Sequence, residues 1–162
     1  MIIIIMVGFG CLNHKNWTIK HLRASDQYIH NEVYQINGEF SHFLTVVYAQ
    51  NQLGNKRNLW NDLSNIGSTI TKPWIINGDF NNVLKINDRV GGNEIQEAEY
   101  VDLEEMMDDK GLFEHDIKGQ HFTWSNKHTN GLIYSQIDRD LCNSEWFINF
   151  LDCEIKILNP HI

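Results

Sequence analysis

Residues 43–49 read Phe-Leu-Thr-Val-Val-Tyr-Ala, a run that is apolar or β-branched on both faces of an extended chain. A strand with one wet face would alternate, so this one is packed on two sides and sits centrally in its sheet. Covering such a sheet takes a sizeable chain. The 162 residues, 42% hydrophobic and 21% charged, have the size and balance of one globular domain. Lys plus Arg is 13 against 21 for Asp plus Glu, leaving −8 with histidines neutral. A chain so acidic has no polybasic grip on nucleic acid, although a metal-assisted phosphate site stays open.

The remaining elements build around that strand. Residues 17–49 are strand-like throughout, with Ile29, Val33 and Ile36 among polar neighbours. Leu59, Leu63, Ile66 and Ile70 mark one face of a helix over 55–70, after which Pro73 leads into a second buried strand at Trp74-Ile75-Ile76. An irregular Gly- and Asn-rich stretch, 81–93, precedes a helix over 97–110 with Val101, Leu103, Met106 and Met107 inward and Gly111 as its stop. Short strands are expected at 112–117, 122–125, 133–141 and 154–158, with a helical turn over 144–150 capped by Ser144. Strands outnumber helices without strict alternation. The reading is an α/β sandwich of sheets with helices outside, in a single unit over 1–162.

Other features constrain the setting. The opening run 2–7 is a buried strand, about a third of the ~20 residues a membrane span needs, without a basic leader or cleavage site, so the chain reads as intracellular. Opening on a core strand implies that the natural domain starts further upstream. Cys11, Cys142 and Cys153 are odd in number and lack metal spacing, so they read as reduced small hydrophobes. The histidines show no zinc spacing, and Glu104-Glu105 and Asp108-Asp109 read as a solvated helix face.

The segment richest in chemistry is Pro73-Trp74-Ile75-Ile76-Asn77-Gly78-Asp79-Phe80-Asn81. Side chains two apart on an extended backbone share a side, so Asp79 and Asn81 project together while Phe80 turns into the core. A carboxylate can ligate magnesium or take a proton from an attacking water, and a carboxamide can donate to a phosphate oxygen. The same residues can also simply cap and turn the chain.

Further pieces follow in order: Thr45 through Asn51, Arg57 with Leu59-Trp60, Asp88-Arg89 with Gly91-Gly92, Gly119 with Phe122-Thr123-Trp124-Ser125-Asn126, and Ile137-Asp138-Arg139. The set, over 45–146, resembles the endonuclease/exonuclease/phosphatase (DNase I-like) family, specifically the endonuclease domain of plant LINE-type non-LTR retrotransposons. The resemblance implies a sandwich of two mostly antiparallel sheets with outer helices, here incomplete at both ends. It implies a monomeric magnesium-dependent phosphodiester hydrolase that cuts DNA, joined in its parent element to a downstream reverse transcriptase and working in the nucleus or cytoplasm. It also implies roles. Asp79 would orient or deprotonate the attacking water and ligate the metal, Asn81 would bind the scissile phosphate, Tyr48 would offer its hydroxyl to that phosphate, and Asn51 would hold the loop or substrate. Asp138 would orient a catalytic histidine. From the residues alone, Tyr48 is equally a core aromatic, Asp138 a salt-bridge partner of Arg139, Arg57 a surface residue and Trp124 a core residue; the 88–92 loop takes no physical role.

Two parts of the family pattern have no match. The asparagine and metal-binding glutamate that precede the region have no counterpart, Asn13 and Glu32 being the nearest of the right type. The closing Ser-Asp-His is also unmatched, and His161 lacks the preceding aspartate. Without a metal ligand and a catalytic acid the chain is expected to be close to inactive. The alternatives are a non-catalytic relic or binding module that keeps the fold, or another phosphatase or phosphodiesterase of the superfamily.

Overall fold

The computed structural model describes residues 3–6 and 17–157. In chain order the strands and helices are β1 (Ile3–Met6), β2 (Trp17–Ala24), β3 (Tyr28–Gln35), β4 (Phe40–Tyr48), α1 (Leu53–Gly67), β5 (Trp74–Asp79), β6 (Arg89–Val90) and α2 (Val101–Lys110). They continue with β7 (Leu112–Glu114), β8 (Ile117–Lys118), β9 (Trp124–Ser125), β10 (Tyr134–Ser135), β11 (Asp138–Asn143), α3 (Ser144–Asn149) and β12 (Glu154–Ile157).

The centre is a six-stranded sheet in the order β2-β3-β4-β5-β11-β7. All its pairs are antiparallel except β4 with β5, which α1 connects as a crossover. That single parallel pair positions the site. It brings the C-terminal ends of β4 and β5 side by side, and antiparallel β11 begins at the same edge.

Alternation sorts the side chains of the central strands onto two covered faces. Phe43, Val47, Trp74, Ile76 and Leu141 meet Leu59, Trp60, Leu63 and Ile66 of α1 and Leu103 and Met106 of α2. On the other face Val33, Leu44, Ile75 and Cys142 meet Trp146 of α3, Cys153, and Ile155 of β12. Strand β4 is therefore central and packed on two sides, as its composition predicts. Two polar residues of β4 are buried, His42 and Thr45, and Thr45 accepts a hydrogen bond from the Trp74 indole (2.8 Å) and is bonded to His30 Nδ1 (2.8 Å).

Several boundaries differ from the sequence reading for local reasons. Helix α1 ends at Gly67, and Ile70 packs against the core from the turn that follows. Residues 97–99 form a 3₁₀ turn before α2, which Gly111 ends in the left-handed conformation at φ 60°. The cap of α3 is Asn143, not Ser144, because the Asn143 carboxamide oxygen accepts the Trp146 N–H (3.0 Å) as well as that of Trp74 (3.0 Å). The run expected over 112–117 is divided between β7 and β8, and that over 133–141 between β10 and β11, each part joining a different sheet. The other strands among the described residues form a small parallel sheet, β1-β12-β8, and a ribbon, β6-β10-β9. Cys142 and Cys153 are buried and unbridged, while Cys11 lies outside the described residues.

Candidate active site at the C-terminal edge of the central strands

Backbone register places Tyr48 opposite Asp79 and Asp79 opposite Asp138. Residues opposite one another share a face, so the three form one row across β4, β5 and β11. The row below is Val46, Asn77 and Asp140, and the next is Leu44, Ile75 and Cys142. Polarity thus rises row by row toward the edge. Gly78 makes that edge possible: its φ is +140°, and a Cβ there would stand 2.0 Å from the Val47 carbonyl oxygen.

Strand β5 stops at Asp79, and the chain reverses. Asn81 has φ 48°, so it is not the extended neighbour that its spacing suggests. It reaches Asp79 by a turn instead: the Asp79 carboxylate accepts the Asn81 backbone N–H (2.7 Å). The Asn81 carboxamide donates to the Ala49 carbonyl (2.6 Å), spending one of its two N–H donors on the β4 end. Phe80 is fully buried and stacks on Trp60, as expected. From the other side, the ammonium of Lys56 on α1 donates to the Asn81 carbonyl and to Asn82 Oδ1 (3.3 Å).

Burial dominates the electrostatics. It pushes the Asp79 carboxyl up to about 6, aided by neighbouring Asp138 and opposed by the Asn81 N–H and by Lys56. Asp138 is also raised by burial, against a hydrogen bond from the Thr123 hydroxyl and the charge of Arg139. Asp140, fully enclosed, is pushed up to about 7 by burial despite the Asn77 amide at 2.5 Å, and its Oδ2 has no partner.

Arg139 points away from this face, so the alternative pairing of Asp138 with Arg139 is not made. Its guanidinium is fully buried and bonds Asp88, Glu114 and the Asn82 carbonyl. The Asp88 carboxylate also accepts the Leu84 and Lys85 N–H groups (2.7 and 2.9 Å). The 88–92 loop therefore has a physical role: Asp88 is the buried counter-charge that anchors it to β11.

The other expected residues fall in different places. Tyr48 is 57% exposed at the rim of the row and not in the core, and Asn51 is exposed in the loop between β4 and α1. Trp124 is 43% exposed, contrary to the core placement, whereas its neighbour Thr123 accepts the Asp138 N–H (3.2 Å). Arg57 is a surface partner of Asp102 (2.8 Å). Glu32 lies on β3 and pairs with Lys20 (3.0 Å), while Asn13 and His161 lie outside the described residues. Sequence reading passed over Lys56, Thr123 and the Asn77–Asp140 pair. Lys56 was visible in principle, since it precedes Leu59, Trp60 and Leu63 at spacings that share a helical face.

No protein-family model and no curated protein matches the sequence. Among solved structures, the endonuclease domain of TRAS1, a telomere-specific non-LTR retrotransposon, aligns over 84% of this chain and 59% of its own at TM-score 0.57 and 12% identity. The fold is DNase I-like. The human Nocturnin catalytic domain aligns over 82% of this chain and 50% of its own at TM-score 0.49 and 12% identity. An endonuclease/exonuclease/phosphatase family protein from Bacteroides thetaiotaomicron aligns over 80% and 51% at TM-score 0.47 and 11% identity. The chain thus spans under two thirds of the length of each.

Asp79 and Asp138 stand side by side in the row and offer two oxygen donors of the kind a hard cation takes, while among the described residues no group of three or more His, Cys, Asp or Glu side chains is placed to hold a metal ion.

Proposed function

We propose that the chain is the DNA-endonuclease domain of a protein derived from a plant LINE-type retrotransposon, a magnesium-dependent phosphodiester hydrolase. The observation that carries this reading is the row Tyr48–Asp79–Asp138 at the edge where β4 and β5 end together, with Asn81 tied to Asp79. A carboxyl lifted to about 6 is poised to exchange a proton with an attacking water near neutral pH. Asp79 would hold the magnesium ion, which supplies Lewis-acid polarisation of a phosphoryl oxygen. Asn81, through its second N–H, and the Tyr48 hydroxyl would bind the scissile phosphate, and Asn51 would border it. Asp138 orients a histidine of the leaving-group side. The partners are DNA and a reverse transcriptase domain of the same protein, in the nucleus or cytoplasm. No helix of the described residues is long and apolar enough to cross a membrane.

By itself the 162-residue chain does not turn over in this reading, because its matched region supplies neither the family's glutamate ligand nor its Ser-Asp-His acid, and such losses multiply in the rate. Nicking of supercoiled plasmid in magnesium tests both statements. A protein that joins this domain to a glutamate-bearing strand ahead of it and a Ser-Asp-His strand behind it nicks, Asp79→Ala abolishes that activity, and the 162 residues alone leave the plasmid intact. Nicking indifferent to Asp79→Ala sinks the site assignment. Nicking by the short chain that Asp79→Ala removes sinks the inactivity.

A further inference from the structure

Helix α1 buries a cation behind the turn that follows Asp79. Lys56 is only 8% exposed and lies among Leu59, Trp60 and Leu63, all core residues. An ammonium taken out of water persists only where oxygen acceptors replace its hydration, and an apolar side chain of the same volume would fill the space without that penalty. The acceptors of Lys56 are two neutral oxygens, the Asn81 carbonyl and Asn82 Oδ1. Neither is a counter-ion. Both belong to the turn, so the cation is placed to hold a backbone conformation.

That conformation needs holding. At φ 48° Asn81 occupies the left-handed region, uncommon for residues other than glycine although asparagine enters it more readily than most. Three hydrogen bonds converge on it: its N–H to Asp79, its carboxamide to Ala49, and its carbonyl from Lys56. The first two draw it toward β4 and β5, and the third ties it to α1. Together they lock the one residue whose reversal brings its N–H onto the Asp79 carboxylate.

We propose that Lys56 is a positioning residue of the site: its ammonium clamps the Asn81 carbonyl, fixes the Asp79–Asn81 turn, and sets a positive charge behind the place where a phosphodiester would sit. The last clause rests on the phosphodiester reading above; the first two do not.

The test uses the isotopically labelled 162-residue chain, wild type and with Lys56→Met or Lys56→Arg, studied by NMR. Hydrogen exchange of the Asn81 backbone amide should quicken about tenfold or more in Lys56→Met, with the core amides of Ile76 and Leu141 unchanged, because only a local opening is released. Lys56→Arg, which keeps the charge and the reach, should stay within about threefold of wild type. Asn81 exchange within about threefold of wild type in Lys56→Met overturns the proposal, since a merely space-filling lysine predicts that result. Should Lys56→Met not fold, Lys56→Ala removes the ammonium and leaves no donor in its place, and the same Asn81 comparison decides. A second arm adds a short DNA duplex with calcium and follows the Tyr48 and Asn81 signals. Wild-type signals unmoved by the duplex count against the phosphodiester reading, and the exchange arm still decides the clamp.

Discussion

The two ends of the paired strands β4 and β5 both hold titratable groups at least partly withdrawn from water, yet they differ in kind. Where the strands begin, His42 is fully buried among Trp17, Trp146 and Phe150, and His30 stacks on Phe43. Where they end, Asp79, Asp138 and Asp140 lie on one face. Burial lowers both histidines to about 4, toward the neutral form that already prevails in neutral water. The same burial lifts Asp79 to about 6 and Asp140 to about 7, against the charged form that prevails there. The histidine end is comfortable at pH 7. The carboxylate end is held under electrostatic tension, which is where functional groups concentrate.

This contrast can be broken or sharpened experimentally. The largest effect belongs to a residue of neither end. Leu63 is fully buried beneath the sheet, and Leu63→Ala should lower stability by about 2–5 kcal/mol without altering its pH dependence. A denaturation series from pH 4 to 8 checks both parts, and a loss near 0.5 kcal/mol would place the helix face outside the core.

Next comes Asp140. A carboxyl whose folded value is raised lends stability that is complete below its unfolded value near 4 and is lost as the pH climbs through about 7. Asp140→Asn keeps the polar contact to Asn77 and removes the charge. It should therefore raise stability at pH 8 by roughly 1–3 kcal/mol and leave pH 4 nearly unchanged. Equal effects at both pH values would show that Asp140 is not the source of the tension.

The histidine end has the opposite sign. A histidine whose folded value is depressed lends stability that is complete above its unfolded value near 6.5 and is lost as the pH falls toward about 4. His42→Phe should flatten that acid limb by about 1–2 kcal/mol at pH 5, and urea midpoints at pH 5 and 7.5 measure it. The smallest change concerns neither end: Arg57→Ala removes an exposed pair with Asp102 and should leave the urea midpoint nearly unchanged, the more so in high salt.

The lower polar row explains why part of this tension was not legible in advance. Asn77 lies in a strand that reads as buried and apolar, and Asp140 in a stretch expected only as a short strand. Nothing local links them, because they are 63 residues apart and meet only through the β5–β11 register. Asp138 and Arg139 show the converse. As neighbours they suggested a pair, but adjacent residues on a strand face opposite sides, and Arg139 found Asp88 and Glu114 across the other face. Trp124 was assigned to the core on hydrophobicity, whereas its place in a two-residue strand of a small ribbon leaves it half exposed.

By itself the sequence determined the parts whose cause is local. A two-sided apolar run is a central strand, the four-three spacing of Leu59, Leu63 and Ile66 is a covering helix, and Gly111 ends a helix because it lacks a Cβ. It also marked the edge at Gly78–Asp79, where the side chain that glycine lacks would strike Val47. Only the tertiary structure decided which groups stand beside Asp79. Tyr48 and Asp138 reach it through strand register, and Lys56 approaches the adjoining turn through the packing angle of α1. Register and packing angle are set by burial and backbone hydrogen bonding summed over whole elements, and no short stretch of sequence contains that sum.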